Sequence, residues 1–337
     1  MTEQLLESEQ VLNGEACDLT YFALAATATQ AEKNEQPRSS APARLGELPD
    51  VLGGRYKIER LLGVGGMGAV YRARDLLREQ FGDPEPYVAL KTLSDDFAEY
   101  PDANSLLYSE FALTARLNHP NVVRLFGFEV DVPSQRAFLI LELLKGPTLD
   151  QLLCERPEGL PWDELSEIAI ALLEALTYSH QLGVLHGDLK PSNVMLADDG
   201  LRLFDYGLGQ PVEGLLPGLP RLCRNRFTAW TPRYAALELL DGAPLSPAAD
   251  VYALACVLYE LASGRHPFRR LSAKQAKSME LDKQLQRPEQ LPVHCWPALR
   301  TALAFEQAQR TISCAELLHA FRAPPLGRWT RWLRGTH

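Results

Sequence analysis

The spacing of hydrophobic and polar positions divides the chain into a strand-rich part and a helix-rich part. Residues 56–61 alternate like a strand, a glycine-rich stretch interrupts them, and residues 70–73 resume the alternation, which predicts a hairpin. The same pattern predicts further strands at 87–93, 122–129, 138–143 and 201–204, and helices at 103–117, 162–181, 247–263 and 313–321. This order predicts an α+β protein with two unlike lobes and a hinge near residues 142–146.

The ends of the chain differ from its centre. Residues 1–54 include a polar Pro/Ser-bearing linker at 32–42 and are predicted to be a flexible leader, with a short helix over 21–29 as the alternative. One folded unit is predicted at 55–322, with a first lobe at about 55–144 and a second at about 145–322. Residues 323–337 form a basic tail with two tryptophans. Two interpretations of this tail remain: a frayed chain end, or a segment that makes weak contact with an anionic membrane surface.

Composition narrows the classes of protein. The 337 residues are 46% hydrophobic and 23% charged, which excludes a collagenous or wholly disordered chain. A net charge of −9 argues against nucleic acid as a partner. Six scattered cysteines without a CxxC pair predict neither a zinc site nor a disulfide framework. No apolar stretch is long enough to span a bilayer, so we expect a cytoplasmic protein without a transmembrane segment.

The glycine-rich stretch is the first candidate for chemistry. Residues 63–68 read GVGGMG between two predicted strands. Glycines let the backbone approach a phosphate group and offer amide donors to it. An ordinary hairpin turn is the alternative.

A lysine and a glutamate form the second candidate. On an alternating strand, Ala89 and Lys91 share one face, and Val88 and Leu90 share the other. Glu110 lies on one helical stripe with leucines at 106, 113 and 117, so we expect it to face the protein and to need a partner. An ion pair between Lys91 and Glu110 would hold the ammonium near phosphates. The alternatives are a solvated strand lysine and a glutamate at the edge of its helix.

The strongest signal is the segment 186–193, which reads HGDLKPSN. Asp188 can accept a hydroxyl proton, Lys190 can stabilise a transferring phosphoryl group, and Asn193 offers an oxygen to a metal ion. Asp205 follows the predicted strand at 201–204 and is a hard oxygen ligand suited to Mg²⁺. Structural turns are the alternative at both places.

Taken in order, these motifs resemble the eukaryotic-like (Hanks-type) serine/threonine protein kinases, especially bacterial ones. The resemblance covers about residues 56–321 and extends to the segments 117–123, 231–234, 250–254 and 264–268, to a gatekeeper at Leu141, and to a pair between Arg310 and Glu238. It implies a bilobal fold with a β-rich N-lobe and a larger helical C-lobe. It also implies catalytic residues at Asp188, Lys190 and Asn193, Mg²⁺ ligands at Asn193 and Asp205, and ATP-binding residues at Gly63, Val64, Gly65, Gly66, Gly68, Val70, Ala89, Lys91, Glu110, Glu142 and Asp205.

Three positions depart from the family pattern. Gly187 replaces an arginine that normally binds a phosphorylated activation loop, so the chain resembles a non-RD kinase. Tyr206 replaces a phenylalanine, and Leu237 replaces a proline. In serine/threonine kinases a threonine, here Thr231, is expected to bridge the catalytic aspartate and lysine. Thr228 is then the main loop candidate for autophosphorylation.

The resemblance implies transfer of the γ-phosphoryl group of ATP to Ser/Thr hydroxyls of proteins, including the chain itself, in bacterial signalling. Protein substrates, and a cognate phosphatase or a sensor protein, are the expected partners. Two alternatives remain open: a pseudokinase scaffold, which the three departures motivate, and a small-molecule kinase, which would share residues of the catalytic loop.

Overall fold

The computed structural model describes residues 48–65, 68–94, 103–216, 218–219 and 231–324. The N-terminal lobe is an antiparallel sheet with one main helix, and its strands follow the order β1-β2-β3-β4-β6-β5. Its elements are β1 (Val51–Leu52), β2 (Tyr56–Val64), β3 (Gly68–Asp75), α1 (Leu76–Gln80), β4 (Tyr87–Leu93), α2 (Ala103–Thr114), β5 (Leu125–Asp131) and β6 (Arg136–Glu142). The predicted hairpin is therefore β2 and β3, which pair directly.

Strand β4 presents two different faces, as its alternation predicted. Val88 and Leu90 pack with Phe138 and other residues in an apolar cluster on one side of the sheet. Ala89 packs with Val70 on the other side. The sheet thus turns Lys91 toward the second side, which also faces the C-terminal lobe.

The sheet begins before the predicted start of the folded unit. Strand β1 pairs with the first residues of β2, and Leu52 is fully buried in the same cluster as Phe138. The Gly53 N–H donates to Asp131 at 3.0 Å. Residues 51–53 therefore contact both β2 and β5, although β1 and β5 stand at opposite ends of the strand order.

The C-terminal lobe is mainly helical. Its helices are α3 (Leu149–Glu155), α4 (Trp162–Gln181), α5 (Leu237–Leu240), α6 (Pro247–Ser263), α7 (Ala273–Ser278), α8 (Trp296–Ala302) and α9 (Cys314–Arg322). Short 3₁₀ turns lie at Pro191–Asn193, Leu281–Gln284 and Gln307–Gln309, and the strands are β7 (Val184–Leu185), β8 (Val194–Ala197), β9 (Gly200–Leu203) and β10 (Gln210–Pro211). β8 pairs with β9, and β7 pairs with β10.

Helix α6 is the centre of this lobe. Its residues are buried almost all round, which is typical of a core helix. The Ser246 side chain caps its N-terminus by accepting from the Ala249 N–H, and Gly264 ends it in a left-handed conformation with φ of +70°. No helix in the described part of the chain, including α4 and α6, combines the length and the apolar character needed to cross a membrane.

The structure confirms the predicted fold class and most elements. The helices at 162–181 and 247–263 and the strand at 87–93 have the predicted bounds. The strand predicted at 122–129 begins only at Leu125, because the backbone at 121–123 pairs with the C-terminal lobe instead: Val123 N–H donates to Leu203 O, and Leu203 N–H donates to Asn121 O. This stretch therefore joins the lobes.

One cysteine corrects the sequence analysis. Cys154 in α3 is disulfide-bonded, whereas Cys256, Cys295 and Cys314 are free. Spacing along the chain could not show this bond, because a fold can bring together cysteines that are far apart in sequence.

Candidate active site

A cleft lies between the sheet of the N-terminal lobe and the β8–β9 hairpin of the C-terminal lobe. The predicted residues Val70, Ala89, Lys91, Glu110, Glu142 and Asp205 line it, together with Leu62, Thr114, Val123, Leu141, Leu143, Leu144 and Phe204. Its walls are thus mostly apolar, with charged groups gathered at one end.

The glycine-rich segment forms the turn of the β2–β3 hairpin. Gly63 pairs with Val70, and the Gly65 N–H donates to the Gly68 carbonyl at 2.7 Å. A Cβ on Gly68 would lie 1.9 Å from the Thr92 carbonyl oxygen, so only glycine fits there. Val64 lies in the same strand end, and Gly66 lies outside the described residues.

The predicted ion pair between Lys91 and Glu110 is confirmed. Lys91 Nζ lies 2.7 Å from both carboxylate oxygens of Glu110, and the two side chains are only 5% and 7% exposed. The ammonium also donates to Asp205 Oδ1 at 2.6 Å, across the cleft. Burial alone would raise the pKa of Asp205, but the charge and hydrogen bond of Lys91 outweigh it and hold that pKa below its usual value.

A second group of charges lies on the loop between β7 and β8. Lys190 Nζ donates to Asp188 Oδ2 at 2.8 Å and to Thr231 Oγ1 at 3.1 Å. The contact of Thr231 with Lys190 agrees with the expected bridge, but it is the lysine that connects the threonine with the aspartate. Burial raises the pKa of Asp188, and the charge of Lys190 offsets part of that rise.

Asp250 at the start of α6 fixes this loop through hydrogen bonds to its backbone. Its carboxylate accepts from the backbone N–H of His186 at 2.8 Å and of Gly187 at 2.9 Å, and it meets His180 Nε2 at 2.9 Å. Burial alone would raise the pKa of Asp250, but His180 holds it below its usual value. The sequence analysis included Asp250 only as part of the family-like segment 250–254. The neighbouring residues give no sign that its side chain reaches a loop more than 60 residues away.

Asn193 carries the feature that fits a metal ion. Its Nδ2 donates to the Asp188 carbonyl at 2.8 Å, while its Oδ1 is buried and has no hydrogen-bond partner among the described residues. The Phe204 N–H donates to the Asn193 carbonyl at 3.0 Å, which brings Asn193 beside Asp205. A buried, unpaired amide oxygen next to a carboxylate is a donor set suited to Mg²⁺.

The predicted pair of Arg310 and Glu238 is also confirmed. Arg310 Nη1 lies 2.7 Å from Glu238 Oε1, and the arginine is 3% exposed. Glu238 lies in α5, next to Leu237. The ion pair therefore forms although leucine replaces the usual proline.

Several lining residues were missed by the sequence analysis. Leu62 precedes the glycines, Val123 lies in the stretch that joins the lobes, and Phe204 precedes Asp205. Each belongs to an apolar run that any buried strand would show, so the sequence contains no signal that separates a lining residue from a core residue.

The comparisons with known proteins agree with this geometry. Residues 56–321 match the family model described as the protein kinase domain. The chain belongs to the protein kinase family. The kinase domain of Mycobacterium tuberculosis PknI is a similar crystal structure, with a TM-score of 0.58, 28% identity, and coverage of 80% of this chain and 95% of that one.

Bacterial serine/threonine-protein kinases are among the curated relatives of this chain. Serine/threonine-protein kinase PkaA of Streptomyces coelicolor is 34% identical over 268 residues, which are 75% of this kinase chain and 47% of PkaA. Serine/threonine-protein kinase PknA of Mycobacterium tuberculosis is 31% identical over 221 residues, or 64% of this chain and 48% of PknA. The chain thus spans about half the length of these two relatives.

Proposed function

We propose that this chain is a bacterial serine/threonine protein kinase that transfers the γ-phosphoryl group of ATP to Ser/Thr hydroxyls of proteins, including its own. The observation that carries the proposal is the linked set Asp188–Lys190–Thr231. Asn193 joins this set to the Lys91–Asp205 pair, because it donates to the Asp188 carbonyl and accepts from the N–H of the residue before Asp205. The relatives' names support protein Ser/Thr acceptors over small molecules.

The reaction needs one proton transfer and one phosphoryl transfer. The acceptor oxygen attacks the γ-phosphorus, and Asp188 takes the hydroxyl proton. The bond between the γ-phosphorus and the β–γ bridging oxygen breaks, and ADP leaves with its electron pair. Lys190 stabilises charge on the moving phosphoryl group, and Lys91, fixed by Glu110, positions the phosphates of ATP.

The remaining site residues bind the nucleotide. We assign the phosphates to Gly63, Val64, Gly65, Gly66 and Gly68, the base to Val70, Ala89 and Glu142, and a magnesium ion to Asn193 and Asp205. When bound, the ion neutralises charge on the phosphate oxygens. The unpaired Oδ1 of Asn193 is the main support for this assignment.

We also propose the non-RD subtype. With glycine at position 187, the catalytic loop carries no arginine there to bind a phosphorylated activation loop. Activity should therefore survive Thr228→Ala, although Thr228, outside the described residues, remains the main autophosphorylation candidate in its loop. Loss of activity in a folded Thr228→Ala variant, measured on an external substrate, would contradict this subtype.

The wider setting is proposed from the family. We infer a domain at about 51–322, because β1 extends the predicted start at residue 55, with a leader before it and a basic tail after it. We also infer a cytoplasmic role in signalling, and a phosphatase or sensor protein as partner. Weak contact of the tail with an anionic membrane is a separate proposal, tested by vesicle co-sedimentation of the full chain against a chain that ends at residue 324.

The deciding experiment compares acceptors. The chain is incubated with MgATP and either a generic protein or an aminoglycoside, and products are identified by mass spectrometry. We expect phosphate on Ser/Thr of protein with the unmutated chain and with Asp163→Asn, an exposed control, and none with Asp188→Asn.

Two results would overturn the proposal. Phosphate on the aminoglycoside alone would indicate a small-molecule kinase. Nucleotide binding without any transfer would indicate a scaffold.

A further inference from the structure

Asp205 adopts a strained backbone conformation. Its φ is +68°, in the left-handed region that side-chain-bearing residues rarely occupy. Such strain persists only when the flanking structure holds the residue in place. Contacts of the two residues beside Asp205 are therefore expected to hold its orientation toward Lys91.

Both neighbours have buried polar contacts. On one side, the Phe204 carbonyl lies 3.1 Å from His186 Nε2. On the other side, the Tyr206 hydroxyl lies 2.8 Å from Ser179 Oγ in α4, and both residues are almost fully buried. The Tyr206 ring also packs on the His186 ring, with 4.6 Å between centroids.

The direction of the hydrogen bond follows from counting protons. Ser179 Oγ lies 2.9 Å from the Ala175 carbonyl, which can only accept, so the serine proton goes there. Ser179 must then accept from Tyr206. The tyrosine is therefore the donor, and among the described residues Ser179 is the hydrogen-bond partner of its hydroxyl.

We propose that the hydrogen bond from Tyr206 to Ser179 is a positioning contact that holds Asp205 turned toward Lys91 and Asn193. The hydroxyl exists because tyrosine stands where the family pattern has phenylalanine. The contact ties the residue after Asp205 to α4, a long helix of the C-terminal lobe. Tyr206 and Ser179 are positioning residues, since they act through Asp205.

The two halves of the contact predict unequal effects. Ser179→Ala leaves the Tyr206 hydroxyl buried without a partner, and that penalty is relieved if the tyrosine moves toward water and takes Asp205 with it. Tyr206→Phe removes the hydroxyl but leaves Ser179 satisfied by Ala175. Adding Tyr206→Phe to Ser179→Ala should therefore remove the penalty of the buried hydroxyl and leave only the smaller effect of the missing hydrogen bond.

The test measures nucleotide binding, so it does not require turnover. ADP affinity is measured by calorimetry with and without Mg²⁺ for the unmutated chain, Ser179→Ala, Tyr206→Phe and the double variant. We expect Ser179→Ala, which loses the bond and strands the tyrosine hydroxyl, to reduce the Mg²⁺-dependent gain in affinity about 10-fold. Tyr206→Phe and the double variant lose the bond alone, so each should reduce this gain about threefold. Ser166→Ala, also on α4 and hydrogen-bonded to the Asp163 carbonyl, is the matched control.

The outcomes separate this inference from the proposed function on which it rests. Lowered thermal stability with an unchanged Mg²⁺-dependent gain in Ser179→Ala and Tyr206→Phe would show a merely structural contact. A double variant that loses as much of this gain as Ser179→Ala alone would also overturn the inference. An unmutated chain that binds MgADP but transfers no phosphate would instead refute the kinase proposal.

Discussion

Lys91 is the residue that links the two lobes through charge. One ammonium group serves Glu110 on α2 and Asp205 beyond β9, both within 2.7 Å. In a buried site two carboxylates so close together need a cation between them. The sequence could predict the Glu110 half of this arrangement from the helical stripe, but the contact with Asp205 spans 114 residues and only the fold brings it about.

Replacing this lysine should disable the site. Lys91→Met removes the cation and leaves two carboxylates facing each other, so we expect kcat/KM for ATP to fall about 100-fold or more. Lys57→Met, an exposed lysine on β2, is the matched control and should behave like the unmutated chain. Comparable kcat/KM for both variants would show that Lys91 does not position the nucleotide.

The pH profile should report the environment of Asp188. A base must be ionised to accept a proton, and burial raises the pKa of this carboxyl, so activity should fall on the acid side at a higher pH than an ordinary aspartate would give. Lys190→Met removes a charge that lowers the pKa, so its acid limb should lie at still higher pH. The measurement is kcat/KM against pH; an acid limb that moves to lower pH in Lys190→Met would contradict this account.

At the scale of elements, His266 connects the end of α6 with the segment that leads to α5. Its Nε2 donates to the Arg233 carbonyl at 3.0 Å, and its Nδ1 accepts from the Phe268 and Arg270 N–H groups at 3.1 and 3.2 Å. All of these contacts suit the neutral ring, and protonation of Nδ1 would break two of them. Burial accordingly lowers the pKa of His266 to about 3.

This histidine should make stability depend on pH. The unfolded chain binds a proton near pH 6.5 but the folded chain does not until about pH 3, so the contribution of His266 is complete above pH 6.5 and is lost as the pH falls toward 3. Between these values its slope approaches about 1.4 kcal/mol per pH unit. Urea unfolding at pH 7 and pH 5 should show a smaller loss for His266→Asn, and equal losses in both proteins would contradict the assignment.

The hydrophobic pattern predicted the bounds of an element correctly where the element packs on one core. It placed the bounds wrongly where another segment pairs with the same backbone. Helices α4 and α6 have their predicted bounds, because their apolar faces meet one core. The strand at 122–129 was placed too early, because residues 121–123 pair with β9 across the lobes. Strand β1 was not predicted, because its two residues are too few to show an alternation of hydrophobic and polar positions.

At the scale of the whole molecule, contacts between distant segments decide where the folded unit begins and how its two lobes are joined. Arg202 in β9 lies 3.3 Å from Glu142 at the hinge, and both are largely buried. At the other end, β1 adds Leu52 to the core of the first lobe. Sequence predicted the two lobes and the hinge, whereas these contacts depend on the packing of distant segments.

The start of the domain can be tested by truncation. A chain of residues 48–324 should be as stable as the full chain, whereas residues 55–324 should lose about 2–3 kcal/mol, because Leu52 is no longer buried. The free energy of unfolding in urea measures this. Equal stability of the two shortened chains would favour the start at residue 55 and would show that β1 adds nothing.

The most direct test of the account is the rate of phosphate transfer in a single turnover from prebound MgATP. The account predicts transfer to Ser/Thr by the unmutated chain, and transfer at least about 100-fold slower in Asp188→Asn, with nucleotide affinity retained. Transfer at an unchanged rate in Asp188→Asn, or its absence in the unmutated chain with bound nucleotide, would contradict the central claim that this cleft performs phosphoryl transfer through Asp188.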